Sequence, residues 1–135
     1  MTTTFFSPEG MMKGTPYHHV AVASGSRQVH VAGQVSFDPD CDQLAGDLRG
    51  QLADALRSAS RGLAAGGATF KDVVRLTFYV TGWEPAKIED FMAGVTDVAD
   101  ELGLPMPMPP ASLIGVEMLF EPDVLVEVEA TAVVA

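Results

Sequence analysis

The chain has 135 residues, enough to bury one hydrophobic core and too few for two, so a single domain spanning residues 1–135 is expected. Its 8 basic residues stand against 18 acidic ones, a net charge of −10, which argues against a nucleic-acid partner because phosphate neutralisation needs clustered Lys and Arg. The single cysteine, Cys41, excludes an internal disulfide and a thiolate zinc cluster, and no basic, apolar leader or membrane-length run is present, so a soluble, unprocessed, cytoplasmic protein without a membrane partner is the simplest expectation.

Near the start, Tyr17–Ser24 and Arg27–Val35 are rich in β-branched residues and are separated by Gly25-Ser26, the composition of a two-residue hairpin turn. They are expected to pair antiparallel, with room for a short leading strand at Thr3–Phe6. The stretch Asp38–Gly46 breaks any strand and leads to Asp47, a helix N-cap residue. Leu48, Leu52, Ala55, Leu56, Ala59 and Leu63 then recur at helical spacing as far as Gly66-Gly67, where a left-handed residue is easily accommodated.

Val73–Val80 reads as the next strand, and Glu84-Pro85 supplies a cap followed by proline in a first helical turn. Ile88, Phe91, Met92, Val95, Val98, Ala99 and Leu102 form one apolar face of a second helix, ended by Gly103 and Pro105. Met106-Pro-Met-Pro-Pro110 must be extended and delivers the chain into a strand from Ala111 to about Leu119. In the last strand Val124, Val126, Val128, Ala130 and Ala132 share one face, and Glu127 and Glu129 the other.

The order β-β-α-β-α-β-β predicts an α+β fold, one mixed sheet with both helices on one face. The opposite face is then bare. Alternate strand positions on it are expected to be too apolar to stay wet, and with a hydrophobic content of 47% the natural remedy is self-association through that face.

Few residues stand out chemically. Two glutamates alternating with valines form a solvated strand face in most proteins, but on a face destined for an interface a carboxylate needs a partner or a purpose. Gly33 suits a bulge or a close approach to the backbone, and Tyr17 is a half-buried aromatic at a strand start. His18 and His19 adjoin on a strand and point to opposite faces, so neither they nor His30 make a metal site, and Cys41 has no neighbouring base or cation to activate it. No phosphate loop, hydrolase elbow or dinucleotide fingerprint is present, and no cofactor is expected.

Three segments, Gly14-Thr-Pro-Tyr17, Val31-Ala-Gly-Gln-Val35 and Pro110–Ala130, resemble the reactive-intermediate deaminase (Rid) family, formerly labelled endoribonuclease L-PSP, and the resemblance covers nearly the whole chain. It implies a chorismate mutase-like homotrimer with ligand pockets between subunits, and a hydrolase acting on imines or enamines. By the same resemblance Glu127 holds or activates the attacking water, with Glu129 as its rival, Tyr17 places a hydroxyl in the pocket, and Gly33 lets a ligand approach the main chain.

One position departs. Where deaminating members carry an arginine that grips the substrate carboxylate, this chain has Ser112, followed by the apolar Leu113 and Ile114. A neutral hydroxyl replaces a rigid, charged fork. The expected ligand is therefore less charged and more hydrophobic than a typical 2-imino acid. The alternative is a non-catalytic ligand-binding or protein-stabilising relative.

Overall fold

A computed structural model describes residues 2–37, 40 and 44–135. Cys41 and part of the loop before the first helix lie outside the described residues. The elements are β1 (Thr2–Phe6), β2 (Val20–Ser24), β3 (Arg27–Gln34), α1 (Leu48–Ala65), β4 (Val73–Thr81), α2 (Ile88–Leu102), β5 (Ala111–Val116) and β6 (Val126–Val134). Both helices pack on a mixed four-stranded sheet of order β3-β6-β4-β5, in which β4 and β5 run parallel and the other neighbours antiparallel.

The expected hairpin across Gly25-Ser26 is not formed. β2 pairs instead with β1, from Thr2 opposite Ser24 to Phe6 opposite Val20, and the two make a separate sheet. β3 pairs with β6, which sets Val29 opposite Ala132 and Val31 opposite Ala130. Turn composition is a local signal. It yields here to the long-range pairing that buries the apolar side of β3 against α1, where Val31 meets Gly62 and Val29 meets Gly66.

The core lies between the helices and the four-stranded sheet. Leu52, Leu56 and Leu63 of α1, Phe91, Val95 and Val98 of α2, and Leu76, Phe78, Val126 and Val128 of the sheet are all buried, and each such side chain contributes about 1.5–3 kcal/mol. Phe78 and Phe91 meet edge to face at 5.0 Å. Asp47 caps α1 as expected, accepting from the Gly50 amide. Glu84 provides no side-chain cap: a 3-10 turn, Pro85–Lys87, precedes α2, which ends at Gly103 with a left-handed φ of 65°.

Polar groups complete the packing. Buried Gln51 donates to the Ala45 and Asp123 carbonyls and accepts from the Leu125 amide, tying both loops to α1 just before β6 begins. Outside, Arg49 forks onto Asp97, and Arg57 bridges Asp54 and Glu101. The hydrogen bonds from these arginines hold the Asp97 and Glu101 carboxyls below their ordinary range, although such exposed pairs set helix alignment more than stability.

The helices approach closely at Gly94, where a Cβ would stand 2.8 Å from the Arg49 carbonyl oxygen and 3.2 Å from Leu52 Cβ. Gly94→Val is expected to destabilise the fold by about 1–3 kcal/mol through overpacking, read as a lower midpoint in urea or thermal unfolding.

Candidate functional site on the open face of the sheet

Strand alternation sends Leu76, Phe78 and Val80 of β4 and every even-numbered residue of β6 toward the helices, and a register shift before Arg75 lets Val73 be buried as well. The remaining side chains form the open face, and cross-strand register arranges them in rows. His30, Thr131 and Arg75 form one row across β3, β6 and β4. Glu129, Thr77 and Ser112 form the next, across β6, β4 and β5, and Glu127, Tyr79 and Ile114 the third. This face is mostly polar, not the apolar surface expected. The alternation that buries valines inward leaves charged and hydroxyl residues outward, and large exposed apolar side chains lie mainly in flanking segments, at Met11, Met12, Met118 and Phe120.

The two candidate glutamates are held differently. Glu129 accepts a hydrogen bond from the Tyr79 hydroxyl at 2.6 Å. That bond, ahead of desolvation and the nearby carboxylates, raises the Tyr79 phenol above its ordinary value, because a carboxylate acceptor favours the protonated phenol. Glu127 instead lies over β3 at its bulge. A Cβ on Gly33 would stand 2.7 Å from Glu127 Cγ and Oε2, so the glycine makes room for this side chain itself. Among the described residues none donates a hydrogen bond to the Glu127 carboxylate.

Ser112 sits on β5 opposite Thr77, and its hydroxyl accepts from Arg75 Nη2 at 2.5 Å. A guanidinium thus reaches the position where the serine had implied no positive charge. It comes from the neighbouring strand, beside a cavity of about 410 Å³ lined by His30, Ala32, Thr77, Glu129 and Thr131 as well as Arg75. Sequence reasoning missed Arg75, Thr77 and Tyr79, although their i, i+2, i+4 spacing along one strand was a readable sign of a shared polar face.

Tyr17 lies elsewhere. It bridges to Met108, packs edge to face on His19 at 5.3 Å, and borders an apolar cavity of about 270 Å³ lined by Phe78, Trp83, Ile88 and Phe91. Leu113 and Ser112 also line this cavity. Ile114 is 44% exposed on the opposite side of β5, so Leu113 and Ile114 do not share one wall. Within the chain, then, Glu127 and Gly33 come together on the open face, Tyr17 and Leu113 come together at the apolar cavity, and Ser112 touches both environments.

An α+β domain with two helices on a mixed sheet and a polar, carboxylate-bearing open face defines a class with known relatives. The model for the family described as endoribonuclease L-PSP matches residues 11–134, and the chain belongs to this Rid/YjgF family. The crystal structure of YyfB from Yersinia pestis, a Rid-family protein of unknown function, is 30% identical with a TM-score of 0.84, covering 99% of this chain and 100% of that one. Rv2704 of Mycobacterium tuberculosis, of the YjgF/YER057c/UK114 family, is 28% identical with a TM-score of 0.62 over 98% and 100% of the two chains. E. coli TdcF, solved with bound serine, is 24% identical with a TM-score of 0.69 over 96% and 94%, a likeness of fold alone. No curated protein matches the chain.

The paired hydroxyl and carboxylate give a spectroscopic handle. Glu129→Gln is expected to lower the Tyr79 phenol back toward its ordinary value, since it removes the charged acceptor. An ultraviolet titration resolves this, because Tyr17 is the only other tyrosine in the sequence.

Proposed function

We propose that this protein is a small-molecule hydrolase of the imine or enamine deaminase type, working in a pocket completed between the subunits of a homotrimer. Its substrate is held differently from a typical 2-imino acid, since Ser112 stands where deaminating relatives carry arginine. The observation that carries the reading is the carboxylate of Glu127, seated against Gly33 and free of hydrogen bonds from the described residues, while its neighbour Glu129 is engaged by Tyr79. A carboxylate with open lone pairs can orient a water molecule and take its proton.

The chemistry then runs in two stages. The water oxygen bonds to the C=N carbon as Glu127 accepts a proton, giving a carbinolamine. The proton passes from Glu127 to nitrogen, the carbinolamine hydroxyl gives up its own proton by the same route as the C–N bond breaks with its electron pair going to nitrogen, and ammonia and a carbonyl product leave. Ser112 and the main chain beside Gly33 shape the pocket, and Tyr17 contributes its hydroxyl if a neighbouring subunit brings the apolar cavity alongside the open face. The endoribonuclease label draws no support from a net charge of −10.

A ligand-binding or protein-stabilising role without turnover is the second reading, favoured by the missing β5 arginine at Ser112. The two separate on activity. Glu127→Gln is expected to reduce ammonia release from imines generated in situ by about 10²-fold or more, whereas Glu129→Gln retains most of it. Saturable binding with no acceleration by the wild-type protein would select the second reading.

The trimer is a separate prediction. Light scattering at micromolar concentration is expected to give three times the chain mass of 14.3 kDa. A stable monomer would remove the intersubunit pocket.

A further inference from the structure

We infer that Arg75 is the anion-recognising residue of this site, and that Ser112 is the hydroxyl that aims it; the inference rests on the hydrolase reading above for the location of the site and names a charged group its ligand carries. Arg49 and Arg57 are both spent on carboxylates of the helices. Arg75 shares the open face with Glu127 and Glu129, yet forms no ion pair with either among the described residues. Its hydrogen-bond partner is a neutral serine. The charge is therefore retained. With one donor used, the remaining guanidinium N–H groups can meet a carboxylate in a two-pronged arrangement.

The surroundings suit a small organic monoanion. Arg75 borders the cavity of about 410 Å³ together with the hydroxyl residues Thr77 and Thr131 and with His30. Among the described residues Glu129 is the one carboxylate on that wall, and the Tyr79 hydroxyl already occupies one of its oxygens. A dianionic phosphate would face Glu129 with Arg75 alone, among the described arginines and lysines on that wall, to offset both, whereas a carboxylate meets that cation with half the charge. Anion recognition has thus moved from the edge strand β5 to the inner strand β4. The serine at 112 is then not simply a loss, because an arginine there would occupy the place to which Arg75 now reaches.

The test uses the full-length protein and two probes alike in size and shape, pyruvate and its neutral amide pyruvamide, measured by titration calorimetry. Wild type is expected to prefer pyruvate. Arg75→Ala should weaken pyruvate binding by about 10- to 100-fold, as for loss of a charged hydrogen-bond donor, and leave pyruvamide unchanged, while Arg75→Lys retains part of the preference. Ser112→Ala should reduce the preference and Ser112→Thr restore it, with circular dichroism checking each fold.

Absence of pyruvate binding, equal binding of the two probes, or a preference that survives Arg75→Ala would overturn the inference. Glu127→Gln keeps it distinct from the hydrolase reading, because that variant should bind pyruvate at least as tightly as wild type. Ammonia release sensitive to Glu127→Gln without a pyruvate preference would sink only the role of Arg75. Conversely, Arg75-dependent pyruvate binding without turnover would sink only the hydrolase.

Discussion

The structure depends on β4 and β6 lying side by side at the centre of the four-stranded sheet with one face sealed by helices. Central strands have no free edge, so their backbone groups are satisfied by neighbours and their side chains must divide between two faces. On the sealed face the division is strict, and Phe78, Val126, Val128 and Ala132 are almost wholly buried. The same alternation leaves no choice for the residues between them. Arg75, Thr77, Tyr79, Glu127 and Glu129 are presented together because their neighbours are needed in the core.

Presentation alone does not distinguish these groups; second contacts do. Tyr79 and Glu127 are cross-strand partners, yet the tyrosine hydroxyl reaches the next row to Glu129. Arg75 likewise reaches past its own row to Ser112. Each diagonal contact settles one polar group and leaves another available. Glu127 remains open because Tyr79 turns away from it, and because the bulge at Gly33 clears the space its side chain fills.

The polar open face also changes what assembly through it would require. A bare apolar sheet would demand a partner to escape water, whereas any partner on this face would have to match its charges. Burying it calls for complementary hydrogen bonds across the interface, since an unpaired buried charge costs more than apolar contact returns. The exposed apolar side chains of Met118 and Phe120, just beyond β5, offer contact area that the sheet face does not.

Much of this architecture was legible from the chain. The two helices follow from leucine and valine spacing, the first start from Asp47, and the opposite facing of Glu127 and Glu129 from the valines beside them, because each depends on periodicity within a few residues. The endpoint of β5, the failure of Gly25-Ser26 to join β2 to β3, and the separation of Tyr17 from Glu127 were not legible. They depend on which distant strand wins each ladder. Only the tertiary structure decided that Arg75 meets Ser112, since the two are 37 positions apart and are brought together by the parallel pairing of β4 with β5, which no local pattern encodes.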